Sequence, residues 1–114
     1  MAQFEFVAWL IQWILQQDDF EFDWDQGNST KSAKKHQIGL ESAEQFFRNK
    51  EVLVPLGIQV SPPADEPRFG ALGMDLLGRR LSVCFTIREG KIRVISIRPM
   101  SPAERKKYAS LREE

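Results

Sequence analysis

At 114 residues, with 42% apolar residues and eight Phe, the chain has the length and composition for one domain with one modest core. Its 16 Lys and Arg balance its 16 Asp and Glu. One cysteine, Cys84, excludes an intramolecular disulfide, and with His36 as the only histidine there are too few ligands for a structural zinc site. The zero net charge hides a division. Residues 1–66 carry 5 basic and 11 acidic side chains and residues 67–114 carry 11 basic and 5 acidic, so the halves stand at −6 and +6. A division of this kind suggests a polyanionic partner for the basic half, although charges also serve simply to solvate helix and strand faces.

Residues 3–17 read as an amphipathic helix. Phe4, Val7, Ala8, Ile11, Ile14 and Leu15 recur at helical spacing, and Trp9 and Trp13 widen the apolar face. The opening FEFV also fits the start of a strand. The apolar run 4–15 is shorter than the roughly 20 residues a bilayer requires and lacks the basic flank of a signal peptide. A cytoplasmic, non-membrane protein is therefore expected, with Cys84 as a buried, inert thiol.

Phe20, Phe22 and Trp24 alternate with Glu21, Asp23 and Asp25, the period of a half-buried strand. A turn follows at 25–27, and Asn28 or Ser29 can cap a helix running to about His36. Gly39 precedes a helix over 40–48 with Leu40, Ala43, Phe46 and Phe47 as its stripe. Strands are predicted at 52–56, 68–73, 81–88 and 91–97, with a Pro62-Pro63 loop after the first and a Glu89-Gly90 turn before the last. Ser101, Pro102 and Glu104 form a capping-box start for a basic helix over 102–111. The order α, β, α, α, four strands, α predicts an α+β fold: a small antiparallel sheet with helices packed on one side.

Several residues suit chemistry on a phosphodiester. Arginine forks onto phosphate oxygens and stays charged. Arg68 stands at a strand start after the Pro-rich loop. In a regular last strand Ile92, Val94, Ser96 and Arg98 share one face, and Arg93, Ile95 and Ile97 the other, so Arg93 and Arg98 point opposite ways. Arg98, at the strand end, suits either a substrate or a carboxylate partner. His36 is the only imidazole, the side-chain type that changes charge near neutral pH when unperturbed, and at a predicted helix end it fits a cap as well as a catalyst. Lys31, Lys34 and Lys35 fit a nucleic-acid contact or a solvated face. Tyr108 fits a base contact or a ring that docks its helix, and Glu104 is most simply the capping-box acid.

Three segments occur in fixed order: FDWDQGNSTKSAKKH (22–36), EPRFGALG (66–73) and IRVISIRPMSPAERKKY (92–108). Together they resemble the BrnT family of ribonuclease toxins from bacterial toxin–antitoxin pairs. The match rests on Trp24-Asp25, Gly27-Asn28, Lys31, Lys35-His36, Phe46-Phe47, Glu66-Pro67-Arg68, Phe85-Thr86, Arg98, Glu104 and Tyr108 in this order. The resemblance implies a RelE-like fold, RNA cleavage that needs no metal or other cofactor, and a halt to translation. It also implies a small BrnA-like antitoxin that binds the toxin and operator DNA, in a heteromeric complex or with the toxin as a homo-oligomer. By the same likeness, Arg68 and Arg98 hold the phosphate and His36, assisted by Lys35, is base or acid. Glu104 belongs to the same carried-over set and Tyr108 contacts the substrate; Lys31, Lys34, Arg93 and Glu104 complete the candidate substrate-binding residues.

Two positions depart from the family pattern: Gln37 stands where Gly is usual, and Gly39 where Ser or Thr caps the next helix. Residues 1–19 form an amphipathic extension ahead of a toxin-like domain at 20–114. The extension has three possible places: over the basic face, in the core, or in a subunit interface. The last would suit an inactive, oligomeric interaction protein as the alternative function.

Overall fold

The computed structural model describes residues 3–25, 38–63 and 65–112. The helix predicted to end at His36 lies outside them. The described chain is α+β, as expected. Strand β1 (Gln3–Glu5) leads into helix α1 (Ala8–Gln16), and α2 (Leu40–Arg48) follows the FDWD segment. A short 3-10 turn (Lys50–Val52) leads to β2 (Val54–Ser61), β3 (Phe69–Met74), β4 (Arg80–Arg88) and β5 (Lys91–Pro99), and α3 (Pro102–Arg112) closes the order. The five strands form one antiparallel sheet in sequence order. No described helix is long and apolar enough to cross a membrane.

The sheet has two different faces, and helices cover both rather than one. Phe69 and Ala71 of β3, with Leu81, Val83 and Phe85 of β4, face the main core. Helix α2 supplies Ala43, Phe46 and Phe47 to that core, and α1 supplies Leu10 and Ile14. Aromatic edges knit it together: Phe47 meets Phe85 at 5.0 Å between ring centroids, and Trp9 meets Phe69 at 5.2 Å. On the opposite face, Leu72 packs with Met100 and with Tyr108 of α3. Period-two alternation along β3 assigns Ala71 and Leu72 to opposite sides, so each layer takes its own helices. The helix spacing read from sequence carried no information on which face α3 would choose.

The predicted first helix begins later than its periodicity suggested. Its opening residues instead pair with β2 as β1, the strand that FEFV also allowed. Backbone pairing at a sheet edge outweighs helix propensity there, since Val7 offers the helix no side-chain cap. Strand β2 correspondingly runs five residues past the predicted end at Leu56. Gly57 looks like a terminator in sequence, yet it has φ +117°, and a Cβ there would lie 2.0 Å from the Glu5 carbonyl oxygen. Glycine is what lets β1 approach β2. The FDWD strand reduces to a single parallel bridge, Phe22 to Ile92, with bonds of 2.8 Å from Asp23 N–H to the Ile92 carbonyl and from Ile92 N–H to the Glu21 carbonyl.

Strand β5 differs in a way that matters for the site. Cys84 pairs with Ser96 but Phe85 pairs with Val94, so Ile95 is an extra residue, a β-bulge. Before it, Ile92 and Val94 face the core, and after it Ile97 does. Ser96 and Arg98 therefore oppose Cys84 and Ser82 on the other face. Arg93 opposes Thr86 on that same face. The opposition of Arg93 and Arg98 expected for a regular strand is overturned by this one residue.

Gly57→Ala is expected to combine a strained backbone with a clash, costing about 2 kcal/mol or more. Hydrogen exchange at Gln3–Glu5 should rise sharply, whereas unchanged protection would contradict the close-approach role of Gly57.

Candidate functional site

The face without α1 and α2 carries an open groove of about 720 Å³ between the sheet and α3. Its charged lining is Arg68, Arg98, Glu104 and Lys107, and Gln59, Ser82, Cys84 and Ser96 add polar groups. Three cations and one carboxylate leave this lining at +2. The N-terminal strand takes part: the Phe4 ring lies over Gly70, where a Cβ would come within 2.7 Å of it. Residues 3–16 thus pack in two directions, with α1 in the core and Phe4 at one end of the groove.

Arg98 and Glu104 are locked together. Arg98 Nη1 donates to Glu104 Oε1 at 2.6 Å and Nη2 to Oε2 at 2.9 Å, a two-pronged pair. Nη1 also donates to the Pro99 carbonyl at 3.1 Å. The predicted capping box is present in both directions. Ser101 N–H donates to Glu104 Oε1 at 2.9 Å, and Glu104 N–H donates to Ser101 Oγ at 3.2 Å. Ser82 Oγ donates to Glu104 Oε2 at 3.1 Å. Burial works to raise the Glu104 pKa, but Arg98, the Ser101 N–H and Ser82 together hold it below the ordinary carboxylate range. At neutral pH it is an acceptor, not a proton donor. The carboxylate raises the Arg98 pKa in turn.

Arg68 stands differently. It is exposed at the mouth of the groove and has no ion-pair partner among the described residues. Its neighbour Glu66 is taken by Arg88, at 2.8 and 3.1 Å. Cys84 lies on the groove face, half-buried rather than in the core as the sequence suggested. Desolvation pushes its thiol pKa up, against a smaller opposing effect of Arg68. The apolar run that holds Cys84 is a strand with one wet face, and Cys84 falls on that face.

The other expected site residues are placed as follows. Arg93 is held at the sheet edge by Asp25 at 2.5 Å and Asp23 at 3.7 Å, outside the groove lining. Tyr108 is 3% exposed; its hydroxyl donates to the Val52 carbonyl at 2.5 Å and its ring packs on Leu72 and Met100. That ring docks α3 onto the sheet, the packing reading of its sequence position. Lys31, Lys34, Lys35 and His36 lie outside the described residues. Sequence reasoning missed Lys107, which enters the groove lining one turn after the Glu104 cap, and Ser82, the hydroxyl on that cap. Helical spacing of three from Glu104 was the available signal for Lys107.

A family model described as the ribonuclease toxin BrnT of type II toxin–antitoxin systems matches residues 24–104. No curated protein matches the chain.

Removing the Glu104 carboxylate should release both the helix cap and Arg98. Glu104→Ala is expected to cost about 1–2 kcal/mol in urea unfolding at pH 7. A folded-state pKa below the unfolded value stabilises above the unfolded value and loses that contribution as pH falls through the folded one. The gap between wild type and variant should therefore narrow below about pH 4. A gap that does not change with pH would exclude the ionised carboxylate as its source.

Proposed function

The chain belongs to the BrnT family of ribonuclease toxins from type II toxin–antitoxin systems, and from that premise we propose that it is an endoribonuclease cleaving RNA without a metal ion, so halting translation until a cognate antitoxin binds it. The observation that carries the reading is the groove of net charge +2 with an exposed arginine that forms no ion pair with a described carboxylate. A groove of this sign, open enough for a strand, suits a phosphodiester backbone.

In this reading Arg68 grips a non-bridging phosphate oxygen. Its full charge faces the groove, where the pentacoordinate transition state carries extra negative charge. Arg98 is a second, pre-oriented donor. The fork to Glu104 fixes its plane, and one Nη2 hydrogen and the Nε–H remain unclaimed by any described residue. Lys107 adds charge along the path of the strand. His36, assisted by Lys35, takes the proton of the 2′-hydroxyl, whose oxygen attacks phosphorus. The P–O5′ bond breaks, and a protonated group returns a proton to the leaving 5′-oxygen. The products are a 2′,3′-cyclic phosphate and a 5′-hydroxyl. Lys31 and Lys34 extend the backbone contact. Arg93 and Tyr108 act at a remove, by holding the FDWD segment and α3 in place.

The test is RNA cleavage by the purified full chain in EDTA. Arg68→Ala should lower the rate by about 10²–10³-fold, and Arg68→Lys should recover part of it. His36→Ala should lower cleavage while RNA binding stays within about twofold. Loss of wild-type cleavage in EDTA would remove metal independence. Undiminished cleavage by Arg68→Ala would remove the phosphate site.

A further inference from the structure

The β3–β4 hairpin presents two leucines to solvent on a braced turn. Leu76 is 72% and Leu77 79% exposed. The turn beneath them is stiff. Asp75, itself 2% exposed, accepts the Leu77 and Arg79 N–H groups at 3.0 Å each and the Arg79 guanidinium at 2.8 Å. Arg79 Nη2 donates to Ser42 Oγ of α2 at 2.6 Å, and Gln45 Oε1 accepts the Leu76 N–H at 3.1 Å. These bonds to α2 and to the Asp75 carboxylate hold this hairpin tip, with both leucines facing solvent.

Beside this tip, two adjoining clefts of about 430 and 400 Å³ share Met74, Arg80 and Arg105. Arg112 closes the second, over the Tyr108 ring at 5.4 Å. Arg80, Arg105 and Arg112 have no carboxylate partner among the described residues. Leu111 is exposed on the same helix end as Arg112. The surface is therefore cationic with ordered leucines at its border. Exposed apolar groups flanked by charge mark protein contact surfaces. Leucines have no stacking face to offer a nucleic-acid base, whereas an amphipathic peptide covers them with its own apolar side chains. The three arginines set the sign of that peptide.

We propose that the hairpin tip and the Arg80, Arg105 and Arg112 clefts are the docking surface for an acidic, apolar-bearing segment of the antitoxin. This rests on the toxin reading above. The surface is distinct from the Arg68 groove, so a partner seated here blocks the RNA site only through further parts of its chain.

The experiment titrates the full chain with the purified product of the reading frame beside its gene, by calorimetry, and follows RNA cleavage in parallel. The variants are Leu76→Ser with Leu77→Ser, and Arg105→Glu. Both sets of positions are exposed, and thermal unfolding checks that the fold is kept. Each variant should bind the neighbouring protein at least tenfold more weakly, with wild-type RNA cleavage, and raised salt should weaken wild-type binding. Unchanged affinity in both variants would overturn the proposal, as would no binding by the wild type. Loss of RNA cleavage with unchanged partner affinity would also overturn it and make the face an RNA contact. Loss of toxin self-association in the variants, with the neighbour still bound, would overturn it in favour of a second copy. Weakened partner binding by variants of a wild type that cleaves no RNA would support the docking surface while removing the ribonuclease reading.

Discussion

The extra residue at Ile95 determines which way the end of β5 faces. Ile92 and Val94 are committed to the core by burial, and a strand of strict alternation would send Ser96 and Arg98 after them. A guanidinium placed there would lose its hydration among Phe85, Val83 and Leu81 without a partner. The bulge instead returns Ile97 to the core and turns Arg98 out toward Ser82 and Glu104. The position of Arg98 in the groove follows from that turn. Glu104, which caps α3 through Ser101, is thereby joined to Arg98 and Ser82, and α3 forms one wall of the groove.

Ion pairing explains why a neutral chain has a cationic groove. Acidic side chains from the N-terminal half meet basic ones at defined places: Asp19 on Arg48, Asp23 and Asp25 on Arg93, and Glu66 on Arg88. These pairs are largely exposed and contribute little stability each. Their larger effect is on position. They gather the acidic side chains toward α2, the end of β4 and the edge strand β5. Arg68 and Lys107 then face one groove, and Arg80, Arg105 and Arg112 a separate surface, without a carboxylate partner among the described residues. The −6 and +6 halves seen in sequence are thus sorted by the sheet into faces and edges, which a count along the chain does not reveal.

Much of the architecture was legible because single residues specify it locally. The 40–48 helix, the Glu89-Gly90 turn with φ values of 52° and 77°, and the Ser101–Glu104 capping box are written in short-range chemistry. What sequence did not reveal depends on partners far along the chain. The β1 pairing needs Gly57, more than fifty residues away. The face chosen by α3 depends on Leu72 and on a Val52 carbonyl for the Tyr108 hydroxyl. The bulge depends on register against β4. For the site, Arg68, Arg98 and Glu104, grouped as candidates in sequence, line one groove in the fold. Their roles were less legible, because a strand-end arginine looks the same whether it faces a phosphate or a carboxylate.

The most direct test of the groove is a backbone amide titration by NMR with a short RNA whose 2′-hydroxyls are replaced by hydrogen, so that it binds but is not cleaved. Shifts are expected at Arg68, Ser82, Ser96, Arg98 and Lys107 in EDTA, weakened by salt as phosphate contacts are. Shifts confined to α1, or to the hairpin at Leu76 and Leu77, would contradict an RNA site in the groove.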